Sequence, residues 1–264
     1  MPTYRLTLEY DGTRYRGWQE QKNAVTVQGE LRKAIEAYLG AAVELGGSGR
    51  TDAGVHALAQ VAHLRVAREL RGEALLRETN DRLPADIHLL GAARAPERFH
   101  ARHTAVARSY LYQISRRRTA FAKRYVWWVK RELDVAALAA AAQELRGRHD
   151  FAAFCERPEE QTSTVVELER AEVAEAGDLV LVRIVASHFL WKMVRRLIGA
   201  LAAAGAGELR AGDIGRLLRG EQVAGFVPAR ATAPPSGLFL ERVLYPGDEA
   251  LGALEPAFPV PRNA

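Results

Sequence analysis

Tyr4, Leu6, Leu8 and Tyr10 alternate with Arg5, Thr7 and Glu9, and this period of two opens a pattern that the chain runs through twice. Such alternation marks a strand with one face in the core. Asp11-Gly12-Thr13 breaks it. Val27, Leu31, Ala34, Ile35 and Tyr38 then recur at helical spacing, with Thr26 placed as N-cap and Gly40 as terminator. A glycine-rich loop covers residues 46–54. Ala62, Leu64 and Val66 mark another strand, 69–82 a polar helix ended by Pro84, and 87–92 a short strand. In the second half Tyr110, Tyr112 and Ile114 share one strand face, and 125–129 is a further strand. Asp134 caps a helix that carries Leu138, Ala141, Ala142 and Leu145 and ends at Gly147. Strands over 164–173 and 179–186 flank the turn Ala176-Gly177-Asp178. A helix covers about 189–204 and a short one starts at Asp213. The last strand is 238–245.

Each half therefore reads strand, helix, two strands, helix, strand. Strict βα alternation is missing. The order predicts an α+β fold of two similar halves, with largely antiparallel sheets flanked by helices, as in a duplicated ferredoxin-like or RRM-like βαββαβ unit. The halves are expected at 1–104 and 105–246, with 247–264 a peripheral proline-rich tail.

Composition narrows the partners. At 48% hydrophobic the chain can bury a sizeable core, and it has no apolar run of about 18 residues that would span a membrane. Met1-Pro2-Thr3-Tyr4 enters a strand pattern at once, unlike a signal or transit peptide. One cysteine, Cys155, excludes an intrachain disulfide. Together these features point to the cytoplasm. The formal net charge is +5, with 5 lysines against 32 arginines. Arginine forks bind phosphate bidentately and stack on bases, but a GC-rich coding sequence gives the same excess. Charge alone leaves a polyanion partner open. His56, His149, His188 and Cys155 share no Cys-x-x-Cys or His-x-x-x-His spacing, so no metal is expected.

The loop Gly46-Gly47-Ser48-Gly49-Arg50-Thr51-Asp52-Ala53-Gly54 is the most informative stretch. Its glycines permit backbone shapes and close approaches closed to other residues. The dinucleotide fingerprint Gly-x-Gly-x-x-Gly fails because Asp52 stands where glycine is needed, and no Gly-Lys-Ser/Thr phosphate loop occurs. A nucleotide-binding oxidoreductase is disfavoured accordingly. Spacing alone fits a tight turn with Asp52 as a cap.

Gly49-Arg50-Thr51-Asp52-Ala53-Gly54-Val55-His56-Ala57 resembles the signature loop of the TruA family of tRNA pseudouridine synthases. The resemblance runs through nearly the whole chain: Tyr10-Asp11-Gly12-Thr13, Gly17-Trp18-Gln19, Val27-Gln28-Gly29-Glu30-Leu31, Phe99-His100-Ala101-Arg102, Arg108-Ser109-Tyr110-Leu111-Tyr112, His149-Asp150-Phe151, Phe189-Leu190-Trp191-Lys192-Met193-Val194-Arg195 and Ala233-Pro234-Pro235-Ser236-Gly237-Leu238. Ser109, Trp191, Lys192 and Pro235 depart from the usual pattern. The resemblance implies isomerisation of uridine to pseudouridine in the anticodon stem-loop of tRNA, in a cleft between the halves, by a homodimer, with no cofactor and no DNA or membrane partner.

It also implies roles. Asp52 is the catalytic carboxylate, as a nucleophile at C1′ or C6 or as a base at C2′. Arg195 is the cation that keeps it ionised; Arg196, its neighbour, reads as a surface arginine. Tyr110 stacks on the target uracil, with a core tyrosine as the rival reading; Tyr112 is left to the core. Leu238 is an apolar wall or an ordinary core leucine. Arg50 fills the space left by the extruded base and contacts RNA, with Arg14 and Arg16. The run Arg116-Arg117-Arg118 reads as a solvated turn. Two other classes remain: a non-catalytic RNA-binding protein of this fold, and a pseudouridine synthase with other RNA targets.

Overall fold

In the computed structural model, which describes residues 1–156 and 163–260, the first alternating segment is β1 (Thr3–Tyr10), with Tyr4, Leu6, Leu8 and Tyr10 buried. There follow α1 (Val27–Leu39), β2 (Glu44–Gly47), β3 (His56–Arg65), α2 (Gly72–Asn80) and β4 (Ile87–Ala95). Next come β5 (Ala107–Ser115), β6 (Trp127–Trp128), α3 (Val135–Gln143), β7 (Gly147–Asp150), β8 (Val165–Ala176) and β9 (Leu179–Ala186). The chain continues through α4 (Met193–Gly205), α5 (Asp213–Leu218) and β10 (Leu238–Leu244). Mixed helices and mostly antiparallel strands make the fold α+β. It divides into two compact units, one of Met1–Val106 with Phe239–Asp248, the other of Ala107–Leu238 with Glu249–Ala264.

In the first unit β1 lies between antiparallel β3 and β4, Thr3 facing Arg65 on one side and Ala95 on the other. β2 pairs antiparallel with β3, Gly46 opposite His63, so residues 48–55 form the loop of a wide hairpin. β10 lies parallel to β3, Phe239 opposite His56. Thr26 caps α1 by accepting the Gly29 amide at 3.3 Å, and Gly40 closes it at φ 68°. The buried stripe Val27, Leu31 and Ile35 faces the core. Each such side chain contributes roughly 1.5–3 kcal/mol on burial.

In the second unit β9 lies antiparallel between β5 and β8, and β7 adds to β8. Asp134 caps α3, accepting the Ala137 amide at 3.0 Å. α4 is buried along most of its length, including Leu197, Ile198, Ala200 and Leu201. A Cβ on its Gly199 would sit 1.6 Å from the Ala231 carbonyl oxygen, so glycine is what lets the chain pack on the helix there. No helix among the described residues is long and apolar enough to cross a membrane.

Several details differ from the sequence pattern. The last strand returns to the first unit, because Phe239–Asp248 completes that unit's sheet beside β3. The second unit therefore ends its own strand order at β9, and a simple cut at 104 and 246 does not follow the packing. β5 is buried along its whole length, not on one face. Its polar side chains are satisfied internally: Gln113 Nε2 donates to the Tyr125 carbonyl at 2.9 Å, and Gln113 Oε1 accepts the Phe258 amide at 3.2 Å. The tail expected over 247–264 is packed on the second unit at Gly252, Ala253 and Phe258, and its residues 261–264 lie outside the described ones. Phe258 stacks on Tyr125 at 4.6 Å, and buried Arg183 donates to the carbonyls of Gly252 and Ala253 at 3.0 and 2.9 Å. The strand over 125–129 shrinks to two residues, and it pairs in parallel with β5. α3 ends at Gln143, and Gly147 instead opens β7 at φ 102°. α4 begins four residues later than its apolar spacing suggests, because Lys192 stands in the left-handed region at φ 62°.

Candidate active site

Asp52 sits half-buried on the β2–β3 loop, and the residues around it are fixed by the segment that follows β1. The Thr51 carbonyl accepts the Trp18 amide at 3.1 Å, and the Gly54 amide donates to the Tyr15 carbonyl at 3.3 Å. The Val55 amide closes a turn on the Asp52 carbonyl at 3.1 Å. Gly54 itself has φ 79°, a conformation that only glycine adopts freely.

Two glycines permit this contact. A Cβ on Gly12 would lie 1.9 Å from the Val55 carbonyl oxygen, and one on Gly17 would lie 2.4 Å from that of Thr51. Both distances are far below van der Waals contact, so the loops pass each other backbone to backbone. Gly17 also has φ 92°.

Beneath the loop lies a buried polar network. Ser48 Oγ donates to Gln60 Oε1 at 2.6 Å, and Gln60 Nε2 donates to the Gly49 carbonyl at 3.1 Å. The Tyr10 hydroxyl lies 2.8 Å from Thr51 Oγ1. Burial pushes the Tyr10 phenol up to about 12, against the lowering effect of Thr51 and Gln60. It is therefore a neutral partner throughout the physiological range. Each of these bonds joins groups with little access to water, where an unmade bond costs about 1–3 kcal/mol.

His56 follows the loop directly and is buried. Its ring stacks on Phe239 of β10 at 4.9 Å, and its Nδ1 accepts the Gly12 amide at 3.1 Å. Asp11 Oδ1 lies 3.1 Å from the same nitrogen, so the ring tautomer decides which neighbour uses it. Burial would raise the Asp11 carboxyl, but hydrogen bonds from His56 and Thr13 hold it well below the usual carboxylate range.

The arginines assigned to RNA lie on these same segments. Arg50 is exposed and its Nε donates to Gln19 Oε1 at 3.2 Å. Arg14 is exposed but bridged to Asp86 at 2.7 Å, which neutralises part of its charge. Arg16 is exposed, with its amide donating to the Val25 carbonyl at 3.0 Å.

In the second unit, residues 233–238 bond to Arg195 and to Tyr112 and end at Leu238. Arg195, half-buried on the first turn of α4, donates from Nε to the Ala233 carbonyl at 2.8 Å, and its own carbonyl accepts the Ala233 amide at 3.0 Å. The next carbonyl, that of Pro234, accepts the Tyr112 hydroxyl at 2.8 Å. Burial lifts the Tyr112 phenol well above its ordinary value, though Arg195 opposes this. Tyr112 is a neutral core donor, and Leu238 follows the segment as a buried residue. Tyr110, two residues before Tyr112, is 8% exposed and meets Phe189 edge-on at 5.0 Å. Arg196 is not the surface arginine expected: its side chain is 11% exposed and donates to the Cys155 carbonyl at 2.5 Å.

Sequence reasoning missed the scaffold of Tyr10, Ser48 and Gln60. Tyr10 and Gly17-Trp18 belong to the resemblance, which implies no role for them. The signal was their side-chain chemistry: a tyrosine hydroxyl and a glutamine amide on strands that bury them need partners. Among the described residues, no group of three or more His, Cys, Asp or Glu side chains is arranged to hold a metal ion.

The profile of the tRNA pseudouridine synthase family matches residues 7–104 and 141–246. A tRNA pseudouridine synthase A of Beijerinckia indica is 42% identical over 98% of this chain and 99% of that protein. One of Mesorhizobium japonicum is 42% identical over 93% of this chain and 100% of that protein, and one of Methylobacterium nodulans is 43% identical over 96% and 99%. A solved Cbf5-Nop10-Gar1 complex matches 77% of this chain and 45% of its own chain, at 14% identity and a TM-score of 0.37, too distant to say more. The chain belongs to the tRNA pseudouridine synthase family.

Proposed function

We propose that this enzyme isomerises uridine to pseudouridine in the anticodon stem-loop of tRNA, with Asp52 as the nucleophile. The reaction breaks the N1–C1′ bond, joins C1′ to C5, and moves the C5 proton to solvent while N1 gains one. Atoms and electrons balance without a cofactor. The observation that carries this reading is Asp52 itself: a half-buried carboxylate on a loop whose flanking amides, carbonyls and hydroxyls are tied down on both sides. A loop held this way keeps its carboxylate in one place, and placement within about 1 Å is worth about 10²-fold in rate.

The remaining roles follow the resemblance. Arg195 supplies the positive charge that keeps Asp52 ionised, and its Nε bond to Ala233 fixes the guanidinium. Tyr110 stacks on the extruded uracil, and Leu238 forms an apolar wall. Arg50 takes the vacated place in the stem, with Arg14 and Arg16 on the backbone. Extrusion costs a few kcal/mol, which the exposed arginines offset through phosphate contacts. The enzyme acts in the cytoplasm as a homodimer.

Tritium release from tRNA labelled at uracil C5 tests the assignment. Wild type releases tritium, and Asp52→Asn, which keeps the side-chain shape without the charge, loses about 10³-fold or more, the scale at which a nucleophile's removal is read. Equal release by both would remove Asp52 from the chemistry.

A further inference from the structure

Residues 116–131 hold seven arginines and lysines and no acidic residue. Three of these cations are neutralised within the second unit. Arg116 pairs with Glu175 at 2.7 Å, Arg117 with Asp178 at 2.7 Å, and Arg131 with Glu208. Arg118 and Lys130 lie instead over one aromatic ring, that of Trp128, at 5.8 and 5.5 Å from its centroid. Neither has an acidic partner among the described residues. Trp128 is 36% exposed, and Phe121, earlier in the segment, is 93% exposed.

The segment is built rather than loose. The Val129 amide donates to the Ser115 carbonyl at 3.1 Å, and the Tyr125 amide to that of Ala122 at 2.8 Å. Ala122 and Val126 are buried, and Ser115 Oγ donates to the Arg117 carbonyl at 2.7 Å. An ordered backbone thus holds a large aromatic ring and two cations at the surface, although burying such a ring would stabilise the fold by roughly 1.5–3 kcal/mol.

Flat π-faces beside unneutralised cations suit a strand of nucleic acid, whose phosphates and bases alternate at similar spacing. A second copy of this chain would bring like charges together, and a lipid surface would gain nothing from the planar stack. We propose that the surface formed by Arg118, Trp128 and Lys130 docks RNA, holding tRNA backbone and stacking one accessible base. Ser115, opposite Trp128 in the β5–β6 pairing, lies five residues along β5 from Tyr110, roughly 17 Å at the strand rise. The contact is therefore made with a nucleotide other than the one isomerised. This proposal rests on tRNA being the substrate.

The test uses the full chain and an unmodified tRNA transcript, with affinity read by filter binding and turnover read separately. Arg118→Glu/Lys130→Glu is expected to weaken binding about tenfold and make the slope of log Kd against log salt shallower by roughly 1.5. Trp128→Ala is expected to weaken binding about tenfold, and Trp128→Phe, which keeps a stacking face, within about threefold. At saturating tRNA, kcat stays within about twofold of wild type in all three, and melting temperatures confirm folding. Unchanged Kd and salt slope overturn the proposal, as does a change seen only in sedimentation or only in pelleting with anionic phospholipid vesicles. Binding is read without turnover. A wild type that binds tRNA through these residues yet forms no pseudouridine would sink the enzymatic reading and leave the docking surface standing.

Discussion

Around Asp52 the chain is held by amides, carbonyls and hydroxyls, with glycine wherever two backbones meet. Around Arg195 it is held by the apolar body of α4, and the guanidinium is bonded through Nε to the Ala233 carbonyl. The first arrangement is directional and intolerant of added atoms. The second rests on non-directional packing, which places a helix firmly but tolerates small shifts of the side chains it carries. Under the roles proposed for Asp52 and Arg195, the reaction draws on two supports that should fail differently when altered.

The most disruptive change should be Gly12→Ala. Its methyl would need to occupy space 1.9 Å from the Val55 oxygen, so the loop must shift. Stability should fall by about 2–4 kcal/mol, seen as a melting temperature lowered by roughly 5–15 °C, with kcat down about 10²-fold. A variant with wild-type melting and turnover would show that close backbone contact does not hold the Asp52 loop.

Arg195→Lys sharpens the comparison from the other side. Lysine keeps the charge but has no Nε–H in the position that reaches Ala233. Turnover should drop about 10–100-fold, while melting moves by no more than about 3 °C, because the packing of α4 is untouched. A melting loss as large as that of Gly12→Ala would mean that the Nε bond supports the unit and not only the side chain.

Tyr10→Phe should have the smallest effect. It removes the hydroxyl facing Thr51 but no apolar volume, so stability should fall by about 1 kcal/mol and kcat several-fold. KM for tRNA should not move, since Tyr10 is buried. A rise in KM with unchanged kcat would place its role in binding rather than in loop position.

Much of this was legible in the chain. The period of two in β1, the Thr26 and Gly40 caps of α1 and the Asp134 cap of α3 are local, and local rules found them. The Asp52 loop was legible only through resemblance, since glycine spacing alone also describes a turn. What local rules missed depends on long-range contact. The single face expected of Tyr110, Tyr112 and Ile114 leaves Gln113 and Ser115 opposite, yet both are buried and bond to Tyr125, Arg117 and Phe258. Lys192 gives no hint in its side chain of left-handed backbone, so the start of α4 at Met193 is not written in its apolar spacing. The hydroxyl of Tyr10 has a partner forty-one residues away, which no periodicity records.

The pairing of β10 with β3 also bears on how the protein is made. The ring backing His56 belongs to Phe239, which leaves the ribosome 183 residues later. At about 5–20 residues per second that interval is roughly 10–40 s. During it the nascent first unit carries its β2–β3 loop with an open sheet edge where the closing strand belongs. Maturation of that unit is therefore timed by the emergence of β10, long after its other strands have been made.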